Sequence, residues 1–94
     1  MDKQIILKFL KENKSILAER YDVVKIGLFG SYAAENQTES SDIDIIVSMP
    51  SDFDKYYDLK DFLETNLKHK IDLGLEKNMR DLIKKNIEKE IIYV

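Results

Sequence analysis

The chain has 94 residues, of which 44% are hydrophobic and 35% are charged, and its 15 basic and 18 acidic side chains give a net charge of −3. This length predicts one domain over residues 1–94, and the acidic balance argues against direct nucleic-acid binding, which needs a basic surface. The absence of cysteine excludes disulfides and thiolate metal sites. No apolar run has the length of a signal peptide or a membrane span, which indicates a soluble, cytoplasmic protein.

The first elements are a helix, a strand and a short helix. Apolar residues at helical spacing predict an amphipathic helix over residues 2–19. The mainly β-branched and apolar run from Val23 to Phe29 predicts a strand, which Gly30 ends. Ser31 is a favourable N-cap for a short helix over residues 32–34.

The rest of the chain alternates strands and helices. A second strand is predicted over residues 42–48, a helix from Ser51 or Asp52 to about Leu67, a third strand over 70–75, and a helix from Met79 to the C-terminus. The predicted buried stripe of the longer helix is Phe53, Tyr56, Leu59, Leu63 and Leu67. The order α-β-α-β-α-β-α predicts an α/β (α+β) domain, with a small mixed sheet of three to four strands flanked by helices.

Three aspartates on predicted strands form the candidate chemical centre. Side chains alternate along a strand, so Asp42 and Asp44 share one face, with Cα atoms roughly 6.5–7 Å apart. Asp72 is one carboxylate on another apolar strand and could join them if the two strands pair. Adjacent carboxylates repel each other, and an all-oxygen set favours a hard cation such as magnesium. Three carboxylates with nucleotide phosphates suit a site for two magnesium ions.

The turn before these aspartates is a candidate nucleotide-binding element. Gly30 lacks a Cβ, so its backbone can approach a phosphate, and the amides that follow point at the anion. The hydroxyl of Ser31 can donate one more hydrogen bond. A Gly-Ser pair or an Asp-x-Asp pair alone is usually structural; their combination with a third strand aspartate favours a functional site.

Segments 30–35 (GSYAAE) and 41–47 (SDIDIIV) resemble the signature of the DNA polymerase β-type nucleotidyltransferase superfamily, and most of all its minimal nucleotidyltransferase (MNT) branch. The resemblance implies the nucleotidyltransferase fold and transfer of AMP from ATP to a tyrosine of a HEPN-domain RNase toxin, which would make the chain an antitoxin. It also implies that Asp42 and Asp44 bind two magnesium ions. Asp72 would bind the catalytic ion and help to activate the acceptor, while the Gly-Ser pair holds the phosphates.

One departure from the family pattern bears on catalysis. Members often have Arg-Gly where this chain has Ala34 and Glu35, and an arginine there would add a charge-assisted phosphate contact. Two alternatives therefore stay open: a module that neutralises the toxin by binding alone, and a nucleotidyltransferase for a small-molecule acceptor. With the three carboxylates intact, we expect an active enzyme.

Other polar and aromatic residues are assigned no catalytic role from the sequence. His69, between two lysines, is expected to be a solvated or capping residue. Tyr56 and Tyr57 are expected to lie in the core or at its rim. Tyr32 follows the Gly-Ser turn and could either contact the nucleotide or pack in the core.

Overall fold

The computed structural model describes residues 1–94, with the side chain of Ile83 outside the description. The helices are α1 (Lys3–Glu12), α2 (Lys14–Tyr21), α3 (Gly30–Ala34), α4 (Phe53–Leu67) and α5 (Asp81–Ile87). The strands are β1 (Lys25–Phe29), β2 (Ile43–Ser48), β3 (Ile71–Leu75) and β4 (Ile92–Tyr93). Single 3₁₀ turns at Glu76–Asn78 and Glu88–Glu90 flank α5. Among the described residues, no helix combines the length and apolarity that crossing a membrane requires.

The predicted first helix is in fact two helices that meet at Asn13. The side-chain amide of Asn13 donates to the carbonyl of Phe9 at 2.8 Å, and its backbone angles (φ −105°, ψ 12°) leave the helical region. A side chain that bonds to the backbone in this way competes with helix continuation. The helix start was better predicted, since the Asp2 carboxylate caps α1 by accepting from the amide of Ile5 at 3.0 Å.

The sheet has the order β3-β2-β1-β4 and is mixed, which confirms the predicted fold class. Strand β1 runs antiparallel to β2 and β4, whereas β2 and β3 are parallel. Helices α1, α2 and α4 cover one face, where their apolar side chains meet those of the strands. Fully buried residues of this core are Ile6, Leu10, Leu28, Ile43, Ile45, Leu59 and Leu63.

The predicted C-terminal helix is wrong beyond Ile87, because the chain turns and adds a fourth strand. Ile92 pairs with Leu28, and the amide of Val94 donates to the carbonyl of Ile26 at 3.1 Å. The final residues are β-branched and aromatic, which suits a strand, and the free edge of β1 offers backbone partners that a helix would leave unused.

The N-terminal end of α4 also differs from the predicted stripe. Asp52 caps the helix by accepting from the amide of Lys55 at 3.1 Å, as predicted. Phe53, however, is 79% exposed, because it lies in the first turn beyond the edge of the core and packs against Tyr57 with ring centroids 5.4 Å apart.

Candidate active site

The parallel pairing of β2 and β3 places two of the three predicted aspartates side by side. Asp44 and Asp72 are direct Cα partners, and Phe29 at the end of β1 is the partner of Asp44 on its other side. Both carboxylates point away from the face that carries Ile43 and the rest of the core. Asp44 is half-buried and Asp72, on the outermost strand, is exposed. The juxtaposition predicted from the sequence is therefore present.

The charges of these groups influence one another. The pKa of Asp44 is raised from 3.8 to about 6, chiefly by burial, and also by the charge of Asp72, the close contact of the two carboxyl groups and the charge of Asp42. The protein groups around Asp44 thus disfavour its ionised form. A proton shared between Asp44 and Asp72, or a cation, relieves the repulsion.

Gly30 is required at the end of β1 for two reasons that the structure shows. Its φ of +74° lies in the left-handed region, and a Cβ at this position would lie 2.2 Å from Oδ2 of Asp44. The absence of a side chain thus makes room for the carboxylate itself. From the sequence, Gly30 was predicted to end the strand and to let the backbone approach a phosphate, and its proximity to Asp44 was not predicted.

Ser31 lies inside α3 and is not its N-cap, which corrects the sequence prediction. Helix α3 begins at Gly30, with Phe29 in the cap position and no capping side-chain hydrogen bond. The half-buried Ser31 directly follows the glycine at which a Cβ would meet the carboxylate of Asp44. Its predicted contact with nucleotide phosphates stays a prediction.

The carboxylates have the right chemistry for magnesium, although their side chains do not surround a common point. Among the described residues, no group of three or more histidine, aspartate or glutamate side chains is arranged to hold a metal ion. Asp44 and Asp72 instead lie side by side on paired strands. Their all-oxygen donors and mutual repulsion fit a hard divalent cation. Asp42, Asp44 and Asp72 are the residues that could hold it.

Two residues with no assigned role lie close to this site. Nε2 of His69 is 3.0 Å from the hydroxyl of the buried Tyr32, and also 3.0 Å from the carbonyl of Ser41, which immediately precedes Asp42. His69 was predicted to be a solvated or capping residue, whereas it is half-buried and bonded to both of these groups. No local signal could reveal these contacts, because they join residues 28 and 37 positions apart.

One cleft of the structure does not contain the aspartates. It has a volume of about 390 Å³ and lies at the opposite end of β2 and β3, where its lining includes Pro50, Phe53, Tyr57 and Leu75. Tyr56, at its edge, donates from its hydroxyl to the carbonyl of Leu73. Tyr56 and Tyr57 therefore line this cleft. The hydroxyl of Tyr56 is close enough to the carboxylates for its pKa to be raised by burial together with the charge of Asp72.

Comparison with known families assigns a class to this arrangement. Residues 6–94 match the model of the nucleotidyltransferase domain, and the chain belongs to that family. The aspartates of β2 and β3 and the glycine at the end of β1 thus lie in an enzyme fold whose members transfer nucleotides.

Two relatives that match nearly the whole chain carry names that refer to protein adenylyltransferase activity. A relative from Methanocaldococcus jannaschii, for which protein adenylyltransferase activity has been suggested, is 44% identical over 92 residues, covering 95% of this chain and 94% of its own length. The protein adenylyltransferase MntA of Thermococcus cleftensis is 36% identical over 92 residues, covering 95% and 92% of the two chains.

Solved structures show the same fold at lower sequence identity. One described as a candidate minimal nucleotidyltransferase superposes with a TM-score of 0.83 at 24% identity, covering 98% of this chain and 95% of that one. A second comes from a complex of a tri-AMPylated Shewanella oneidensis HEPN toxin with an MNT antitoxin. It has a TM-score of 0.67 at 19% identity and covers 97% of this chain and 70% of that one.

Proposed function

We propose that this chain, as a single domain, is a magnesium-dependent protein adenylyltransferase that transfers AMP from ATP to a tyrosine of a HEPN-domain RNase toxin, and so acts as its antitoxin in the cytoplasm. The observation that carries the proposal is the pairing of Asp44 with Asp72 beside Gly30. The relative named MntA and the complex of an AMPylated HEPN toxin with an MNT antitoxin support the acceptor class.

The proposed roles of the three aspartates and Ser31 follow from their positions and their solvent exposure. Asp42 and Asp44 would hold the ions that accompany ATP, and the start of α3, with Ser31, would hold its phosphates. Bound there, magnesium offsets the charge of the triphosphate and of the leaving pyrophosphate. Asp72 is the most accessible of the three carboxylates, because β3 is the outer strand, and it faces an acceptor arriving from that edge.

In the proposed reaction, the phenolic oxygen of the acceptor forms a bond to the α-phosphorus of ATP. The bond from that phosphorus to the oxygen that bridges to the β-phosphate breaks, and pyrophosphate leaves. Asp72 accepts the phenolic proton, for which an exposed carboxylate beside a half-buried one is suited. The partner's surface orients the tyrosine, and this positioning supplies part of the rate enhancement.

The test is label transfer from α-labelled ATP to the protein encoded by the neighbouring gene, with and without magnesium. We expect label on the partner with the natural chain and a loss of at least about 100-fold with Asp42→Asn or Asp44→Asn. Asp61→Asn is the matched control, because Asp61 is exposed on α4 and the substitution makes the same change of charge. Mass spectrometry of the labelled partner identifies the modified side chain.

The remaining outcomes separate the alternatives. Two results together would support the binding-only module. The chain would form a stable complex with the partner without labelling it, and the Asp42→Asn variant would still neutralise the toxin. The substitution of the family's arginine by Ala34 is the observation that favours this reading. Label on a small acceptor in the absence of any partner would support the small-molecule enzyme instead.

A further inference from the structure

His69 lies where three segments of the site meet. It follows Lys68, the C-cap of α4, whose left-handed backbone (φ 52°) turns the chain from the helix into the lead of β3. Its Nε2 is 3.0 Å from the carbonyl of Ser41 in the lead of β2, and 3.0 Å from the hydroxyl of Tyr32 in α3. His69 lies in the segment that leads to Asp72. Its Nε2 therefore joins this segment to the one that carries Asp42 and to the helix that contains the Gly-Ser pair.

The chemistry of these partners assigns the donor. A backbone carbonyl can only accept a hydrogen bond, so Nε2 of His69 carries the proton in the bond to Ser41. The same N–H is then shared with the hydroxyl oxygen of Tyr32, which accepts. Tyr32 is 3% exposed, and its ring meets the imidazole edge-on, with centroids 5.6 Å apart at 84°. The imidazole is thus held by two hydrogen bonds and an aromatic contact.

Asp42 lies between two hydrogen bonds that join its segment to residues 69–70. The amide of Ile43 donates to the carbonyl of Lys70 at 3.0 Å, while the carbonyl of Ser41 accepts from His69. The residue before Asp42 and the residue after it are therefore both tied to the segment 69–70. The amide of Ser41 also donates to the carbonyl of Thr38 at 3.1 Å, so the histidine bond is the contact that joins this side of Asp42 to the segment 69–70.

We infer that His69 is a positioning residue: its Nε2–H fixes the backbone on the N-terminal side of Asp42 and ties it to the helix that follows the Gly-Ser turn. This inference rests on the proposed function, since it concerns the same carboxylates. The polar partners of its Nε2 are Ser41 and Tyr32, so in this inference His69 acts through the placement of Asp42. Outer hydrogen-bond partners of this kind are worth about 10–100-fold in metal affinity or activity.

The experiment compares His69→Leu with His69→Gln, two side chains of similar size that differ in the ability to donate. A glutamine amide reaches about as far as Nε2 and can donate to the carbonyl of Ser41. We expect His69→Leu to lower kcat by about 10–100-fold and His69→Gln to stay within about 3-fold of the natural chain. The KM for the acceptor protein should be unchanged in both, because the ring is engaged by Ser41 and Tyr32 within the chain and a positioning role does not include the acceptor.

Two measurements that do not depend on turnover accompany the kinetics. Titration with magnesium and a non-hydrolysable ATP analogue should show about 10-fold weaker binding for His69→Leu, and near-natural binding for His69→Gln. Amide hydrogen exchange of residues 41–43 should be faster in His69→Leu alone. Tyr32→Phe, which keeps the bond to Ser41, should give a smaller loss in both measurements than His69→Leu.

The outcomes distinguish this inference from the proposed function. If the natural chain transfers no label, the proposed function fails, while the binding and exchange measurements still test His69. If folded His69→Leu keeps its kcat, its nucleotide affinity and its exchange pattern, then the histidine is only a packing residue and the inference is wrong. If leucine and glutamine are equally impaired, hydrogen-bond donation is not its role, and the inference is also wrong.

Discussion

The two faces of the sheet are built from the same strands and differ in almost every physical respect. On one face, alternate residues such as Ile43, Ile45 and Leu73 are fully or nearly fully buried under the helices. On the other face, the intervening positions of the same strands include Asp44, Asp72 and Gly74, none of which is buried, and Ile46, which is 1% exposed.

This division has a physical reason. Burying an ionised carboxylate without a partner costs far more than burying an aliphatic side chain gains. The aspartates can therefore only lie on the face that the helices leave open, where they keep access to water, ions and substrate. Along β2 and β3, core residues and candidate catalytic carboxylates therefore alternate between opposite faces of the sheet, and Ile46 is the buried apolar residue of the carboxylate face.

The largest expected effect on stability comes from the helix-covered face. Ile45→Ala removes a fully buried side chain from the centre of β2, and we expect a loss of about 2–5 kcal/mol in the free energy of unfolding. Denaturant unfolding measures it. Val24→Ala is the control, since Val24 is 81% exposed and should change stability by less than about 0.5 kcal/mol. Equal effects at the two positions would contradict the division of the faces.

The next prediction concerns the contact between β1 and the carboxylate face. Gly30→Ala forces an L residue to φ +74° and places a methyl group on the carboxylate of Asp44, so we expect a loss of about 1–2 kcal/mol or more. Gly74→Ala is the matched control, because its methyl would meet Cδ1 of Ile46 at an ordinary 3.5 Å.

A double-mutant cycle tests the cause of the Gly30 effect. The Asp44→Ala background lacks the carboxylate. In it, the loss of unfolding free energy caused by Gly30→Ala should fall towards the contribution of backbone strain alone. An unchanged cost would show that Asp44 has no part in the requirement for glycine.

A smaller effect follows from the pKa of Asp44. Its pKa in the folded chain is about 6, above the ordinary 3.8, so the protonated form is favoured by folding. The stability that this contributes is fully present below about pH 3.8 and is lost as the pH rises through about 6. Without metal, Asp44→Asn should therefore be more stable than the natural chain at pH 7.5, and the difference should shrink towards pH 4.5.

Thermal unfolding at several pH values, in the presence of a chelator, measures the Asp44 effect. Asp61→Asn, on the exposed surface of α4, should show no comparable change between the two pH values. Added magnesium should raise the Tm of the natural chain at pH 7.5 and leave Asp44→Asn nearly unaffected. The opposite order of the two proteins at pH 7.5 would contradict the assignment.

The smallest prediction concerns the end of α3. Glu35 has a left-handed backbone (φ 60°) at the position where the family often has glycine. Glu35→Gly removes that strain, adds chain entropy to the unfolded state and deletes an exposed ion pair with Lys3, so we expect a net gain of about 0.5 kcal/mol. Glu35→Ala keeps the strain and loses the ion pair, and its Tm should not rise.

The sequence by itself determined the elements and the candidate residues that local patterns encode. The alternation around Asp42 and Asp44, the break at Gly30 and the cap at Asp52 are each readable within a few residues, because side-chain periodicity and capping are local properties. The class of fold followed from the order of these elements, and the family match confirms it.

Only the tertiary structure decided how distant segments meet. The pairing of Asp44 with Asp72, the addition of β4 to β1 and the contacts of His69 all depend on which strand edges and side chains the fold brings together. The glycine at position 30 shows the same limit: its need for a left-handed turn is a local property, but the carboxylate that its missing side chain admits belongs to another strand.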